Sequence, residues 1–327
     1  MRISMVSTTD MNNRAEKVSI DFQAMGTDIS VDIVLEKSGE EIEILRGQEA
    51  IEKVKEIFFA NEKIFSRFLE DSELSKMNGS IGKEVAVSEK MFTVLELCVK
   101  FYELSSGYFD PRVLETLEKI GYDKDFRSND LSSEKEKNIG LEKIDTKLQD
   151  DLILDAEKRS VVIKKRIDTT GIAKGFTVDE AAQFLESGGW KNFVVDAGGD
   201  MFARGLDEEK KEWTIGIEGL DENRLRLKLR DEGIATSGIS RKRWNLGGKK
   251  VHHLINPKDP ENFSYDIKTV TVIEEKTVEA DGRAKVLVLM GKERGLQFAN
   301  EKNIKALFLD YRGNVYLSER MKENIAG

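Results

Sequence analysis

The 327-residue sequence has few of the residues that mark several common protein classes. Its one cysteine, Cys98, cannot form an internal disulfide, so nothing requires an oxidising compartment. Cys98 lies in the apolar-periodic run 91–102, which predicts a buried core position. The two histidines, His252 and His253, are adjacent, and no His, Cys and carboxylate spacing of the zinc type accompanies them. Neighbours on a strand face opposite sides, so we expect at most one of them in a given site.

A basic excess and long apolar runs are also missing. The net charge of -9 argues against a general binder of nucleic acids or anionic membranes, because such proteins use basic residues to release counterions. No run is long enough to span a bilayer, and the first twenty residues lack the apolar core of a signal peptide. We therefore expect a soluble, cytoplasmic chain with no nucleic-acid partner and no membrane insertion. A chain that had lost an export signal would show the same features.

Length and composition favour one compact domain. Apolar residues make up 39% of the chain and charged residues 35%, which allows a sizeable core beneath a well-solvated surface. The polar residues 1–18 predict a flexible N-terminal segment, and 19–327 predict the domain. Within it, 121–150 is rich in Lys, Asp, Glu and Ser, and is predicted to be a charged loop region.

The stretch 168–200 carries the clearest local pattern. β-Branched residues over 161–163 predict a strand, and Gly171 and Gly175 bracket the turn that follows. A helix is predicted from about Phe176, followed by a glycine stop, a second strand and another glycine turn.

Lys174 stands just before this predicted helix. Free amide groups and the helix dipole favour negative charge there, so one interpretation is an anion site. The alternative is an ordinary strand-turn-helix-strand unit whose glycines only shape the turns.

The remaining elements follow from periodicity and capping residues. Ser88 is a good helix N-cap, and Asp110, held by Pro111, is predicted to cap a helix that starts near Arg112. The segment 233–238, between two glycines, is predicted to be a loop that wraps a phosphate or turns a corner. The other predictions are a strand over 20–34 interrupted at Met25-Gly26-Thr27, helices over 48–65, 89–105 and 278–290 with a short one at 71–75, and strands over 84–87, 213–218, 225–229, 268–273, 304–309 and 313–317.

Seven short motifs occur in order between about residues 20 and 300. They are Met25-Gly26-Thr27; Asp71-Ser72-Glu73-Leu74-Ser75 with Asn78; Gly107-Tyr108-Phe109-Asp110-Pro111; 168–175; Asp196-Ala197-Gly198-Gly199-Asp200; Ala235-Thr236-Ser237-Gly238; and His253-Leu254-Ile255-Asn256-Pro257. Each is weak alone, but in this order the sequence resembles the ApbE family of flavin transferases, also called FAD:protein FMN transferases.

The resemblance implies a fold, ligands and a reaction. It implies an α+β fold, a single compact mixed α/β domain with antiparallel sheets, packed helices and an active cleft between two halves. It implies bound FAD with Mg²⁺ at its pyrophosphate, and partners that are FAD and an acceptor flavoprotein. The implied reaction cleaves FAD and transfers FMN to a threonine hydroxyl of the acceptor, with release of AMP.

The resemblance also assigns residues by matching position. Residues expected to border the flavin are Met25, Phe68, Tyr108, Phe109 and Asp110. Residues expected to contact other parts of FAD are Asp168, Lys174 and His253. Expected metal ligands are the carbonyls of Gly171 and Val278 and the carboxylate of Asp281. The catalytic group would be His253, Asp281 and Lys174, where His253 orients a phosphate or assists proton transfer. Lys174 or the helix amides would stabilise charge that builds up at phosphorus.

One departure from the family pattern concerns the implied metal. The usual Asp-Ala-Leu-Ala-Thr of the final helix is replaced by Asp281-Gly282-Arg283-Ala284-Lys285, and an ammonium cannot coordinate magnesium. Lys285 either turns to solvent as an i,i+4 partner of Asp281, or replaces part of the metal's charge. Gly282 is expected to weaken the helix by up to ~1 kcal/mol relative to alanine. At Tyr108, where alanine is common, the ring would stack on the flavin or obstruct it.

Three functions therefore compete. The first is a magnesium-dependent FMN transferase. The second is an FAD-binding protein without transferase activity, which the Lys285 substitution motivates. The third is hydrolysis of FAD to FMN and AMP without an acceptor.

Overall fold

The computed structural model describes residues 15–36, 40–123, 140–220, 225–240 and 242–326. Most of the predicted flexible segment 1–18 and the middle of the charged region 121–150 lie outside the described residues. The first strand begins at Lys17.

The described residues form fifteen strands, eight α-helices and two short 3₁₀ helices. The strands are β1 Lys17–Ala24, β2 Thr27–Val34, β3 Glu84–Ala86, β4 Leu152–Asp155, β5 Ser160–Ile163, β6 Phe193–Ala197, β7 Asp200–Arg204, β8 Trp213–Gly216, β9 Arg226–Leu229, β10 Glu232–Gly238, β11 Arg243–Leu246, β12 Lys249–His252, β13 Thr269–Glu274, β14 Lys305–Leu309 and β15 Val315–Leu317. The α-helices are α1 Glu41–Phe65, α2 Glu73–Asn78, α3 Glu89–Leu104, α4 Leu114–Lys119, α5 Leu148–Asp151, α6 Thr170–Ser187, α7 Thr277–Met290 and α8 Lys292–Glu301, and the 3₁₀ helices are Pro111–Val113 and Arg320–Asn324.

A large antiparallel sheet organises the chain. Its strand order is β1-β2-β6-β7-β10-β13-β14-β15 within the described residues, and every pair is antiparallel. Alternating apolar residues such as Ile29, Val31 and Ile33 bury one face of β2 against α1 and α6. Further along the sheet, α7 and α8 cover β10, β13 and β14. The α+β fold class with antiparallel sheets is confirmed.

The predicted order of strand, turn, helix and strand is present, but the predicted start of the helix is wrong. β5 pairs with β3 and β4 in a separate three-stranded sheet, whereas β6 belongs to the large sheet. Helix α6 begins at Thr170, six residues before the predicted start at Phe176. The helix starts early because Asp168 Oδ1 accepts the Thr170 N–H at 2.8 Å, and the Thr169 carbonyl accepts the amides of the next turn.

The glycines mark close contacts between segments that are distant in sequence. A Cβ on Gly175 would lie 2.8 Å from Cα of Val278, so this glycine lets α6 and α7 pack backbone to backbone. The predicted loop 233–238 is strand β10, in the middle of the large sheet. Gly233 is required there because a Cβ would lie 2.3 Å from the amide nitrogen of Thr277.

Predictions based on local capping agree with the structure. The hydroxyl of Ser88 accepts the Met91 amide at the start of α3, and Asp110 accepts the Arg112 amide at the start of a 3₁₀ helix. Cys98 is buried, as predicted.

Three further predictions differ from the structure. Helix α1 begins at Glu41, seven residues before its predicted start at about Gln48. The predicted strand 20–34 is a hairpin of β1 and β2, turned at Met25 and Gly26, which have φ values of 51° and 74°. Helix α7 is not the final helix, because α8 follows it. Among the described helices, none is both long and apolar enough to cross a bilayer.

Candidate active site

A cavity of about 510 Å³ opens where several of these elements meet. Its walls come from the β1–β2 turn, the end of α1, the first turn of α6, the β6–β7 turn, β10 and the segment after β12. The sequence-predicted residues that line it are Met25, Phe68, Phe109, Asp110, Asp168, Gly171, Lys174, His253 and Lys285. The structure therefore gathers residues from most of the length of the chain around one space.

Two lysine–aspartate pairs lie at one side of the cavity. Lys174 on α6 contacts the carboxylate of Asp200 on β7, and Lys285 on α7 contacts Asp281 one turn earlier on the same helix. Both aspartates are buried, whereas the lysine side chains keep 24% and 15% of their surface exposed. Lys174, Lys285 and Asp200 line the cavity, and most of the exposed surface of the two pairs belongs to the lysines.

The two pairs act on one another electrostatically. Burial raises the pKa of Asp281, and the nearby Asp200 carboxylate adds to this, while Lys285 and Lys174 oppose it. Burial works against the charge of Lys174, but the Asp200 and Asp281 carboxylates outweigh it and raise the pKa of that lysine. Lys174 therefore stays protonated, and the four groups behave as one cluster.

His253 lies at another part of the cavity wall, just after β12. Its Nδ1 is 3.3 Å from the Lys242 carbonyl, which can only accept, so Nδ1 carries the hydrogen and Nε2 keeps its lone pair. Burial, followed by the positive charge of Lys242, holds the pKa of His253 well below its ordinary value of 6.5. The imidazole is neutral and can accept a proton.

Aromatic and cationic groups surround Asp168 and His253. The Arg67 guanidinium packs against the rings of both Phe68 and Tyr122, with its Cζ 4.4 and 4.5 Å from the two centroids. Its Nε is 3.5 Å from Asp168 Oδ2. Tyr122 in turn meets the edge of the His253 ring at a centroid distance of 6.3 Å.

Asp110 lines the cavity, and its carboxylate is also part of a buried ion-pair network. Its carboxylate accepts hydrogen bonds from the buried Arg112 guanidinium at 2.7 and 3.0 Å, and Arg112 also contacts Asp151. Asp110 is therefore held rigidly at the cavity wall by a buried ion-pair network.

Three predicted residues do not line the cavity. Tyr108 lies between Lys258 and Arg294, each 4.9 Å from its ring centroid, and its hydroxyl accepts a hydrogen bond from Arg294. Val278 is buried, and its amide donates to Asp179 on α6. Asp281 stands behind Lys285.

The surroundings of Gly171 and Asp281, two of the predicted metal ligands, do not suit a magnesium ion. A Cβ on Gly171 would lie 3.4 and 3.5 Å from Cδ and Cε of Lys285, so the lysine stem covers Gly171 while its ammonium contacts Asp281. Magnesium needs oxygen ligands in octahedral geometry, and an ammonium supplies only donors. Over the described ranges, no three His, Cys, Asp or Glu side chains come together as a group able to hold a metal.

Several cavity residues escaped the sequence analysis. Asp200, the partner of Lys174, ends a recognised glycine motif, and its position there was the available signal. Glu62 Oε1 accepts the Met25 amide at 2.7 Å and so holds the left-handed turn between β1 and β2. Thr269 lines the cavity, and its buried hydroxyl has no hydrogen-bond partner among the described residues. Neither of the last two shows a local pattern in the sequence.

An α+β fold with a cavity that presents lysines and a neutral histidine is typical of a protein with a small-molecule site. Its family follows from comparison with known proteins. The model of the ApbE family matches residues 25–308, which is most of the sequence. The chain belongs to the ApbE family.

Curated relatives and solved structures agree with this assignment. A Vibrio cholerae protein named FAD:protein FMN transferase is 28% identical over 306 residues, covering 90% of this chain and 88% of that protein. A Haemophilus influenzae protein of the same name is 28% identical over 320 residues, covering 90% and 86%. The structure of the flavin transferase ApbE from Vibrio cholerae is similar with a TM-score of 0.76, at 23% identity, over 95% of this chain and 99% of that one. The ApbE protein of Thermotoga maritima gives a TM-score of 0.79, at 24% identity, over 95% and 100%.

Proposed function

We propose that this chain is an FAD:protein FMN transferase, which cleaves FAD and transfers FMN to a threonine hydroxyl of an acceptor flavoprotein with release of AMP. The observation that carries the proposal is that one cavity of an ApbE-family chain holds Lys174, Lys285 and a neutral His253. The names of the curated relatives support the same activity.

The lysines suit the diphosphate of FAD. Lys174 lies in the first turns of α6, where the helix dipole also favours an anion, and Lys285 approaches the same turn from α7. Because Asp200 and Asp281 hold the two ammonium groups, the positive charges are oriented before the ligand arrives. The diphosphate would therefore lie across the first turn of α6.

The chemistry requires one bond to form and one to break at phosphorus. The threonine oxygen attacks the phosphorus of the FMN half, and the bond from that phosphorus to the bridging oxygen breaks. AMP leaves with the electron pair of that bond. We assign His253 the role of taking the threonine proton at Nε2, which its neutral imidazole allows at physiological pH. Lys174 and Lys285 stabilise the negative charge that develops on the phosphoryl and leaving oxygens.

The other predicted FAD contacts are assigned to parts of FAD by the position of each residue in the cavity. Met25, Phe68 and Phe109 supply apolar wall and remain our proposal for the flavin side, with Asp110 beside them. Asp168, beside Arg67, is proposed for another part of FAD. A contact from Tyr108 would require its ring to leave Lys258 and Arg294.

Mass spectrometry tests the activity directly. The chain is incubated with FAD and a panel of threonine-bearing peptides and flavoprotein domains, each paired with a version that carries alanine in place of the threonine. We expect an added FMN mass on a threonine-bearing acceptor only, with one AMP released per adduct. Reactions run in parallel with Mg²⁺ and with EDTA, so that transfer is detected whether or not it requires the metal.

The competing functions give different results in the same experiment. AMP release without any adduct would identify a hydrolase, and FAD binding with neither AMP nor adduct would identify a binding protein. A His253→Gln variant, which cannot act as a base, should bind FAD and form adduct more slowly.

A further inference from the structure

Lys285 lies against two of the predicted metal ligands, Gly171 and Asp281. One turn of α7 separates it from Asp281, so both side chains project from the same helix face. Its stem packs over Gly171, and its ammonium contacts the Asp281 carboxylate. The space between the Gly171 backbone and the Asp281 side chain is thus filled by a cation that belongs to the protein.

The Lys285 side chain is not the solvent-facing partner that one prediction described. Only 15% of its side chain is exposed, and it lines the same cavity as Lys174 and His253. Its charge is also one of the influences that lower the pKa of His253. Lys285 therefore faces the space in which the diphosphate is proposed to bind.

The charge of the cluster explains why a cation is needed here. Lys174 and Lys285 balance Asp200 and Asp281, which leaves the cluster neutral. With an uncharged residue at 285 the cluster would carry one net negative charge and would repel a diphosphate. A divalent cation could offset that charge only if residue 285 supplied an oxygen ligand, as threonine does and methionine does not. Lys285 removes that repulsion without any added ion.

We propose that the Lys285 ammonium takes the place of a divalent cation at the FAD diphosphate, so that this chain binds FAD and transfers FMN without a divalent metal. The proposal rests on the proposed function for its transfer step, but its binding step stands separately. The ammonium has three N–H donors, and contact with Asp281 uses one of them. The other two are available to a phosphoryl oxygen and to the oxygen of the leaving AMP.

Binding experiments test the proposal without an acceptor. Quenching of flavin fluorescence measures FAD affinity in EDTA and in Mg²⁺, for the wild type and for Lys285→Thr, Lys285→Met and Lys285→Arg. The matched control is Lys302→Met, which removes an exposed lysine outside the cavity. Electron paramagnetic resonance of added Mn²⁺ reports metal binding directly, and circular dichroism checks the fold of each variant.

We expect the wild type and the control to bind FAD equally in EDTA and in Mg²⁺, and neither to bind Mn²⁺. Loss of one charge-assisted contact should weaken FAD binding by Lys285→Met by about 10- to 100-fold in both media, and Lys285→Arg should recover part of it. Lys285→Thr frees the Asp281 carboxylate and should bind FAD tightly only when Mg²⁺ or Mn²⁺ is present.

Two results would overturn the proposal. One is a wild type that binds Mn²⁺ and loses FAD affinity in EDTA, and the other is an FAD affinity that none of the Lys285 substitutions changes. The transfer assay separates these failures from failure of the proposed function. Adduct that forms only with Mg²⁺ rejects the metal-free step and keeps the transferase, whereas Lys285-dependent binding in EDTA without any adduct rejects transferase activity and keeps the binding step.

Discussion

A Cβ on Gly282 would lie 2.3 Å from Cζ of Phe101, so α7 can approach α3 only because residue 282 is glycine. Phe101 is fully buried, and its ring is 6.0 Å from that of Phe109, which lines the cavity. The same helix presents Asp281 and Lys285. The contact between Gly282 and Phe101 therefore supports two parts of the cavity wall at once.

Alanine at position 282 should destabilise the protein. The gain in helix propensity, up to about 1 kcal/mol, is smaller than the roughly 1–3 kcal/mol that overpacking a core costs. The expectation that glycine here weakens the helix thus reverses in the folded protein. Urea unfolding of Gly282→Ala measures the change in the free energy of unfolding.

A double-mutant cycle with Phe101→Leu provides the control for Gly282→Ala. The smaller side chain makes room for the new methyl group, so the two substitutions together should cost less than the sum of their separate costs. Strict additivity would show that the contact with Phe101 is not the reason for glycine.

Asp179 predicts a pH dependence of stability that a single substitution can isolate. It accepts the amides of Thr277 and Val278 at 2.7 and 2.9 Å at the start of α7, and burial raises its pKa from 3.8 to about 6. The folded state then binds a proton more readily than the unfolded state. This contribution to stability is fully present below pH 3.8 and is lost as the pH rises through about 6.

Comparison of the wild type with Asp179→Asn isolates this contribution. Asparagine keeps one acceptor for the helix amides but does not titrate. Between pH 4 and 7 the wild type should lose roughly 1–3 kcal/mol of unfolding free energy relative to the variant. Other titrating groups are common to both proteins and cancel in the difference. Parallel pH profiles of the two proteins would contradict the prediction.

Glu62 should affect FAD affinity through the turn at Met25. Its carboxylate accepts the Met25 amide, and Met25 has a φ of 51°, a conformation that side chains other than glycine rarely adopt. Glu62→Ala leaves this amide without its acceptor, so the turn that forms one cavity wall should loosen. We expect FAD affinity, measured by flavin fluorescence, to fall by about two- to tenfold.

Glu62→Gln is the matched variant, because its amide oxygen can still accept from Met25. It should keep near-normal FAD affinity. Equal losses in Glu62→Ala and Glu62→Gln would instead indicate that the negative charge of Glu62, rather than the turn, matters for binding.

Local signals predicted the caps, and long-range contacts explain the errors. Ser88 and Asp110 cap amides within three residues, so their roles can be inferred from the adjacent sequence. The sequence predicts Gly175 and Gly233 to be turn residues, because a glycine does not reveal whether it serves a turn or a close contact. Their actual neighbours, Val278 and Thr277, are more than forty residues away.

The site, too, combines contacts that the local sequence predicts with contacts that only the fold creates. The spacing of Asp281 and Lys285 predicts their contact, because residues four apart share a helix face. Spacing cannot predict that Lys285 is enclosed, because that depends on Gly171 of another helix. In the same way, Lys174 was recognised as a site residue, but its partner Asp200 belongs to a strand that only the folded sheet brings near.

The Lys174–Asp200 pair allows stability to be separated from ligand binding. Lys174→Met leaves the buried Asp200 carboxylate without its partner, a change that costs roughly 3–5 kcal/mol in fully buried pairs. The cost should be smaller here, because 24% of the Lys174 side chain is exposed to solvent. Adding Asp200→Asn removes the orphaned charge and should restore most of the lost unfolding free energy.

FAD affinity should remain about 10- to 100-fold weaker than that of the wild type in both variants, because neither has the ammonium that faces the diphosphate. Urea unfolding and flavin fluorescence on the two variants and on Asp200→Asn alone complete the cycle. If FAD affinity recovers together with stability, Lys174 acts on the fold and not on the ligand.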